Sequence, residues 1–156
     1  MKPRYTRISI TAFILAVALF SMGLISNGSA AEKAASPAGV WKTIDDNTGK
    51  ARSHIQIWIH SGKLYGKIVK LLDAPEKNPL CDKCPGKRKN SPVMGMIIMP
   101  GLMLDGTEWK GRVLDPESGK WYKVLLELQD GGNTLKVRGY IGISLLGRTQ
   151  YWKRLR

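Results

Sequence analysis

The stretch that most constrains this chain is its end, Leu135 to Arg156, LKVRGYIGISLLGRTQYWKRLR. Leu135, Val137, Gly139 and Ile141 fall on one parity, and Lys136, Arg138 and Tyr140 on the other. Thr149, Tyr151 and Lys153 then alternate with Gln150, Trp152 and Arg154. A period of two carried by aromatic and β-branched residues marks strands, here two joined by a tight connection. A chain that ends on a strand must pair that strand with something, because an open edge leaves a row of unpaired backbone groups. The natural partner is the first strand of the domain, around Gly39-Val40-Trp41. That pairing closes a barrel.

The rest of the chain supplies the other staves. Ala38 to Ile44 begins the domain, and Asp45 to Lys50 is a turn by composition. Arg52 to His60 alternates, with Ile55, Ile57 and Ile59 on one face and His54, Gln56, Trp58 and His60 on the other. Ser61-Gly62 turns the chain into Lys63–Leu72. Thr107–Leu114 and Trp121–Leu128 are two further strands, separated by the turn Asp115 to Lys120. Both polar turns read Asp-x-x-Thr/Ser-Gly-Lys, which is common turn chemistry. Val93 to Leu104 is apolar, and Pro100-Gly101 inside it predicts a bulge or break, since proline cannot donate to a ladder. Asp73 to Pro92, with four prolines and two cysteines, breaks the rhythm; a connection this long reads as a lid, a binding loop or an insert. The expectation is all-β: eight short antiparallel strands make a barrel or a sandwich, and the short hairpins and sequential alternation favour an eight-stranded up-and-down barrel, whose interior can hold a small ligand.

The N-terminus carries a different signal. Lys2, Arg4 and Arg7 precede an apolar run from Ile8 to Ile25, followed by Gly28-Ser29-Ala30-Ala31. A basic segment, an apolar segment and a small-residue exit make a secretory signal, with cleavage expected after Ala30 or Ala31. The expected organisation is a signal peptide over 1–30, a small-residue linker over 31–37, and one domain over 38–156. The expected location is periplasmic or secreted. The chain has 25 Lys and Arg against 12 Asp and Glu. Without Lys2, Arg4 and Arg7, 22 basic residues still face the same 12 acids. Such a surface is drawn to anionic lipid or glycan in the envelope. Nucleic acid is not an expected partner of an exported protein whose basic residues are scattered along strands and turns.

GVWKTIDDNTGK, GKLYGKIVKLL, the CDKCPG loop, LDPESGKWYK and VRGYIGISLLGRTQYW together resemble the bacterial domain-of-unknown-function family numbered 2147. Its members are small exported proteins with no assigned activity. The resemblance runs from Gly39 to Arg154 and implies a lipocalin-like, or calycin-type, barrel. Gly39-Val40-Trp41 matches the Gly-x-Trp opening of lipocalins. In those proteins a late arginine packs over the tryptophan, and Arg154 is the matching residue here. The implied Trp41–Arg154 contact is structural and closes the barrel.

Motifs with chemistry of their own are few. Cys81-Asp82-Lys83-Cys84 is the sharpest; in an exported chain it reads as a local disulfide. A thioredoxin-like role needs a βαβ setting, and zinc needs about four ligands, of which only His54 and His60 could complete the set. Met94, Met96, Met99 and Met103 read as packing or pocket lining in preference to a Cu(I) site. No nucleophile elbow or metalloprotease motif is present, so no catalytic residue, metal or cofactor is assigned. The expected ligand-lining residues are Trp58, Trp109, Tyr140, Met94 and Met96. The leading expectation is binding of a small hydrophobic or amphipathic molecule, or a lipid. The alternative is a basic protein docking on anionic lipid or glycan with a filled interior.

Overall fold

The structure is a computed structural model and describes residues 35–74 and 76–155. The expected signal peptide lies outside the described residues, as does the linker up to residue 34. Eight strands follow one another: β1 Gly39–Ile44, β2 Ala51–His60, β3 Lys63–Leu71, β4 Ile97–Asp105, β5 Glu108–Asp115, β6 Lys120–Gln129, β7 Thr134–Tyr140 and β8 Arg148–Arg154. Each pairs antiparallel with the next, and β8 returns to β1 through Trp41 opposite Arg154 and Lys42 opposite Lys153. The Leu155 amide continues that seam by donating to the Val40 carbonyl at 2.8 Å. The cylinder is therefore closed, and neither terminal strand is left as an edge.

Register decides which parity faces inward. Trp41 stands opposite Ile55, Ile55 opposite Ile68, and Ile57 opposite Gly66. Val124 faces Gly111 and Gly139, and Leu126 faces Trp109 and Val137. Directly opposed residues share a face, so these side chains all point inside. The two ends are filled differently. At the end where the chain enters, Trp41, Ile57, Leu64, Met99, Leu102, Leu126 and Leu135 are almost completely buried. Bulge geometry appears where proline was expected to break the ladder. Leu64 pairs with Leu102 and Tyr65 with Pro100, so Gly101, at φ 95°, is the extra residue.

Arg154 seals this end. Its guanidinium carbon lies 4.2 Å from the centre of the Trp41 ring. Nε donates to the Gly132 carbonyl at 2.5 Å, Nη1 to Ala38 at 2.7 Å and Nη2 to Ser36 at 2.6 Å. The Trp41 indole N–H donates to the Pro37 carbonyl at 2.8 Å, so this buried ring has its polar atom satisfied.

Candidate functional site: the open mouth of the barrel

The turns β1–β2, β5–β6 and β7–β8 and the long β3–β4 connection gather at the other end. There the interior is hollow. A cavity of about 510 Å³ opens between these turns. Ile55, Ile68, Val93, Ile98, Val113 and Val137 form an apolar floor and wall. Asp45, Arg52, Glu117, Tyr122, Arg148 and Gln150 contribute polar groups around it. An apolar hollow of this volume, with a few convergent polar groups, has the make-up of a small-molecule site.

The polar rim is organised by its two arginines. Arg52 bonds Asp45 at 3.2 Å and also reaches Glu117 in the β5–β6 turn, so it links two turns that lie four strands apart around the barrel. Arg148 on β8 pairs with Asp46, its Nε donating at 2.6 Å and 2.5 Å to the two carboxylate oxygens. Gln150 adds a bond to Asp46 at 3.3 Å. Asp45 is held in place by its own turn: its Oδ1 accepts the Asn47 amide at 3.0 Å, the Thr48 amide at 2.9 Å and the Thr48 hydroxyl at 3.1 Å. The Thr48 amide first, and then Arg52, stabilise the carboxylate and bring its pKa down to about 2. Hydrogen bonding from Arg148 likewise lowers Asp46.

The sequence marks these carboxylates only as members of polar turns. Asp45 does cap its turn, but Asp45 and Asp46 are also tied to arginines 7 and 102 residues away in sequence. The repeated Asp-x-x-Thr/Ser-Gly-Lys pattern was the available signal. Asp115 repeats the arrangement, its Oδ1 accepting the Glu117 amide at 3.1 Å and its Oδ2 the Ser118 hydroxyl at 2.6 Å.

The five residues expected to line a ligand site do not line this cavity. Trp58 has the parity opposite to buried Ile57, so it stands on the outer face, stacked on Tyr65 with ring centres 5.5 Å apart. Tyr140 lies opposite exposed Lys123 and also faces outward. Trp109 does point inward, but beside Leu126, where it packs against the filled core. Met96 is buried in that core and Met94 is 40% exposed. Aromatic content was a poor guide because a closed barrel alternates inner and outer faces along every strand.

Cys81 and Cys84 are joined by a disulfide, with Cα atoms 5.4 Å apart, and both are buried. The bridge fixes the tight corner of the β3–β4 connection where it leans on the β5–β6 turn. His54 sits on the outer face of β2 between Lys42 and Lys70, and burial followed by these like charges lowers its pKa. Among the described residues no group of three or more His, Cys, Asp or Glu is placed to hold a metal ion.

A closed barrel of eight sequential antiparallel strands, plugged where the chain enters and open at the opposite end, defines the lipocalin-like class. The chain belongs to the bacterial family described as "Uncharacterized protein conserved in bacteria (DUF2147)", which it matches over residues 39–154. Among solved structures it is similar to protein HP1028 from Helicobacter pylori, described as belonging to the lipocalin family. That likeness has a TM-score of 0.67 at 24% sequence identity and covers 78% of this chain and 84% of the other; it establishes shared fold alone. No curated protein matches the chain.

Proposed function

We propose that this is an exported binding protein whose barrel takes a small amphipathic molecule or lipid tail through its open mouth. The carrying observation is the cavity of about 510 Å³, with its apolar floor and its rim of Arg52, Arg148, Tyr122 and Gln150. An acyl or other apolar segment would lie against Ile55, Ile68, Ile98 and Val137, leaving its polar end at the rim. The export reading is supported by Lys2, Arg4 and Arg7, the apolar run and the small-residue exit. A purely surface-docking protein with a filled interior is disfavoured by the hollow at this end.

The test is native mass spectrometry of gently purified protein, followed by titration with a fluorescent fatty acid. The control is Gly139→Leu. Gly139 lines the cavity, and a Cβ there would have its nearest neighbour, Tyr122 Cβ, at 3.9 Å, so a leucine side chain has room to occupy the hollow. Wild type is expected to bind, with affinity for the probe falling about tenfold or more in the folded variant as the apolar volume is taken. Absence of both a co-purifying ligand and probe binding, or equal binding by Gly139→Leu, overturns the proposal.

A further inference from the structure

The β7–β8 loop stands at this same mouth and is built in an unusual way. Ile141, Ile143, Leu145 and Leu146 are 62%, 62%, 82% and 79% exposed, four large apolar side chains within six residues. The loop backbone is nevertheless held firmly. Arg138 on β7 donates through Nε to the Ser144 carbonyl at 3.0 Å, and through Nη2 to the carbonyls of Ser144 at 2.5 Å and Leu145 at 3.2 Å. Its Nη1 bonds the Thr149 hydroxyl at 2.7 Å. The Gly147 amide returns to Ser144 at 3.0 Å. A side chain from the barrel wall thus satisfies carbonyls of a loop whose apolar residues point to solvent. Contiguous exposed apolar groups of this kind mark a contact surface.

The wall beside the loop is basic. Arg112 lies directly opposite Lys123, and Lys123 opposite Tyr140, all on the outer face of β5, β6 and β7. Like charges opposed across strands destabilise a sheet. Ion pairs among the described residues engage Arg52, Lys110, Lys136 and Arg148, and neither member of this pair. Trp121 stands next along the same face, with the Arg112 guanidinium 5.4 Å and the Arg88 guanidinium 5.2 Å from its ring centre. An apolar projection flanked by Tyr140, Lys123 and Arg112 matches an anionic membrane surface: acyl chains for the loop, the interface for the tyrosine and phosphates for the cations.

We propose that the 141–147 loop inserts into an anionic lipid bilayer, with Arg112 and Lys123 on the headgroups, so that the barrel mouth opens onto the membrane. This rests on the ligand-binding reading in one respect, that lipid from the bilayer is then the occupant of the cavity; the docking itself does not depend on occupancy. Satisfied carbonyls matter here, because unsatisfied backbone groups are costly in hydrocarbon.

Co-sedimentation with vesicles of phosphatidylcholine, with and without phosphatidylglycerol, tests it. Wild type is expected to bind only the anionic vesicles. Leu145→Ser/Leu146→Ser, at exposed positions, is expected to keep its melting temperature and lower partitioning by about tenfold or more. Arg112→Gln/Lys123→Gln is expected to weaken binding at low salt and flatten its salt dependence. Failure of wild type to bind, or loop-variant binding equal to wild type, overturns the proposal, the latter pointing to charge alone. Gly139→Leu separates the two readings: it should bind vesicles as wild type does, whether or not the cavity takes a ligand.

Discussion

Arg154→Ala should cost the barrel more stability than any other single surface-reaching side chain. The cation–π contact with Trp41, at 4.2 Å, contributes about 1 kcal/mol at a partly desolvated site. The bonds to the Gly132 and Ala38 carbonyls are partly buried and charge-assisted, at about 1.5 kcal/mol each. The Ser36 carbonyl is exposed, and water replaces its partner at little cost. The sum is about 4 kcal/mol, or about 16 °C in melting temperature for a domain of this length. Arg154→Lys keeps the charge but loses the planar fork, so one ammonium can serve one of the two part-buried carbonyls; roughly half the loss is expected. Equilibrium urea unfolding at neutral pH measures both. A loss under about 0.5 kcal/mol for alanine, or a lysine variant indistinguishable from wild type, would refute the account of Arg154 as a three-carbonyl clasp. Probe binding by the folded variants should be unchanged, since the clasp lies at the end away from the mouth.

The two Asp-x-x-Thr/Ser-Gly-Lys turns should answer the same mutation differently. Gly49 and Gly119 have φ of 69° and 70°, so alanine is strained in both, by about 1 kcal/mol. A Cβ at Gly49 meets nothing within 4 Å, whereas at Gly119 it would overlap the Lys83 backbone; Gly119→Ala should therefore lose at least twice as much in urea melts. Asp45 gives a pH prediction: its folded pKa, about 2, lies below its unfolded value, so its contribution is present above about pH 4 and lost as the pH falls toward 2. Asp45→Asn keeps an acceptor for the turn amides but has no such titration, and its stability should fall less steeply than wild type across that range; identical acid limbs would contradict the assignment.

The fold was legible because alternation, turn composition and the two chain ends are local signals. Leu135–Arg156 carries its period openly, and Gly39-Val40-Trp41 is an adequate partner for it. Pro100-Gly101 located the bulge for a reason confined to one residue's missing N–H. The site was less legible. Which parity of β2 faces inward is set by the whole ring of partners, so Trp58 and Ile57 could not be sorted before the register was known. Arg148 and Asp46 are 102 residues apart, and nothing in either segment announces the other. The alternation counts Ile141 with the strand and leaves the residues after it as a tight connection, whereas the strand ends at Tyr140 and an apolar loop follows.

Three inward glycines explain why the barrel is solid at one end and hollow at the other. Interior side chains of eight strands compete for one narrow volume, so a glycine on one strand is room for a larger residue on its neighbour. A Cβ on Gly66 would meet Met99 Cε at 2.6 Å, and one on Gly111 would meet Leu102 Cγ at 2.8 Å. Met99 and Leu102, nearly inaccessible to solvent, occupy the space those glycines leave. Gly139 also faces inward, but nearer the mouth, where the nearest atom to its missing Cβ is 3.9 Å away. Its cross-strand neighbour Arg148 does not fill that space, because its guanidinium reaches to Asp46 at the rim. The cavity therefore arises where a small wall residue is left unfilled beneath a rim of arginine–carboxylate links. The hollow persists because the large residues at that level, Arg148 and Gln150, turn to Asp46 at the rim, and this is a more direct pointer to binding than the outward Trp58 and Tyr140.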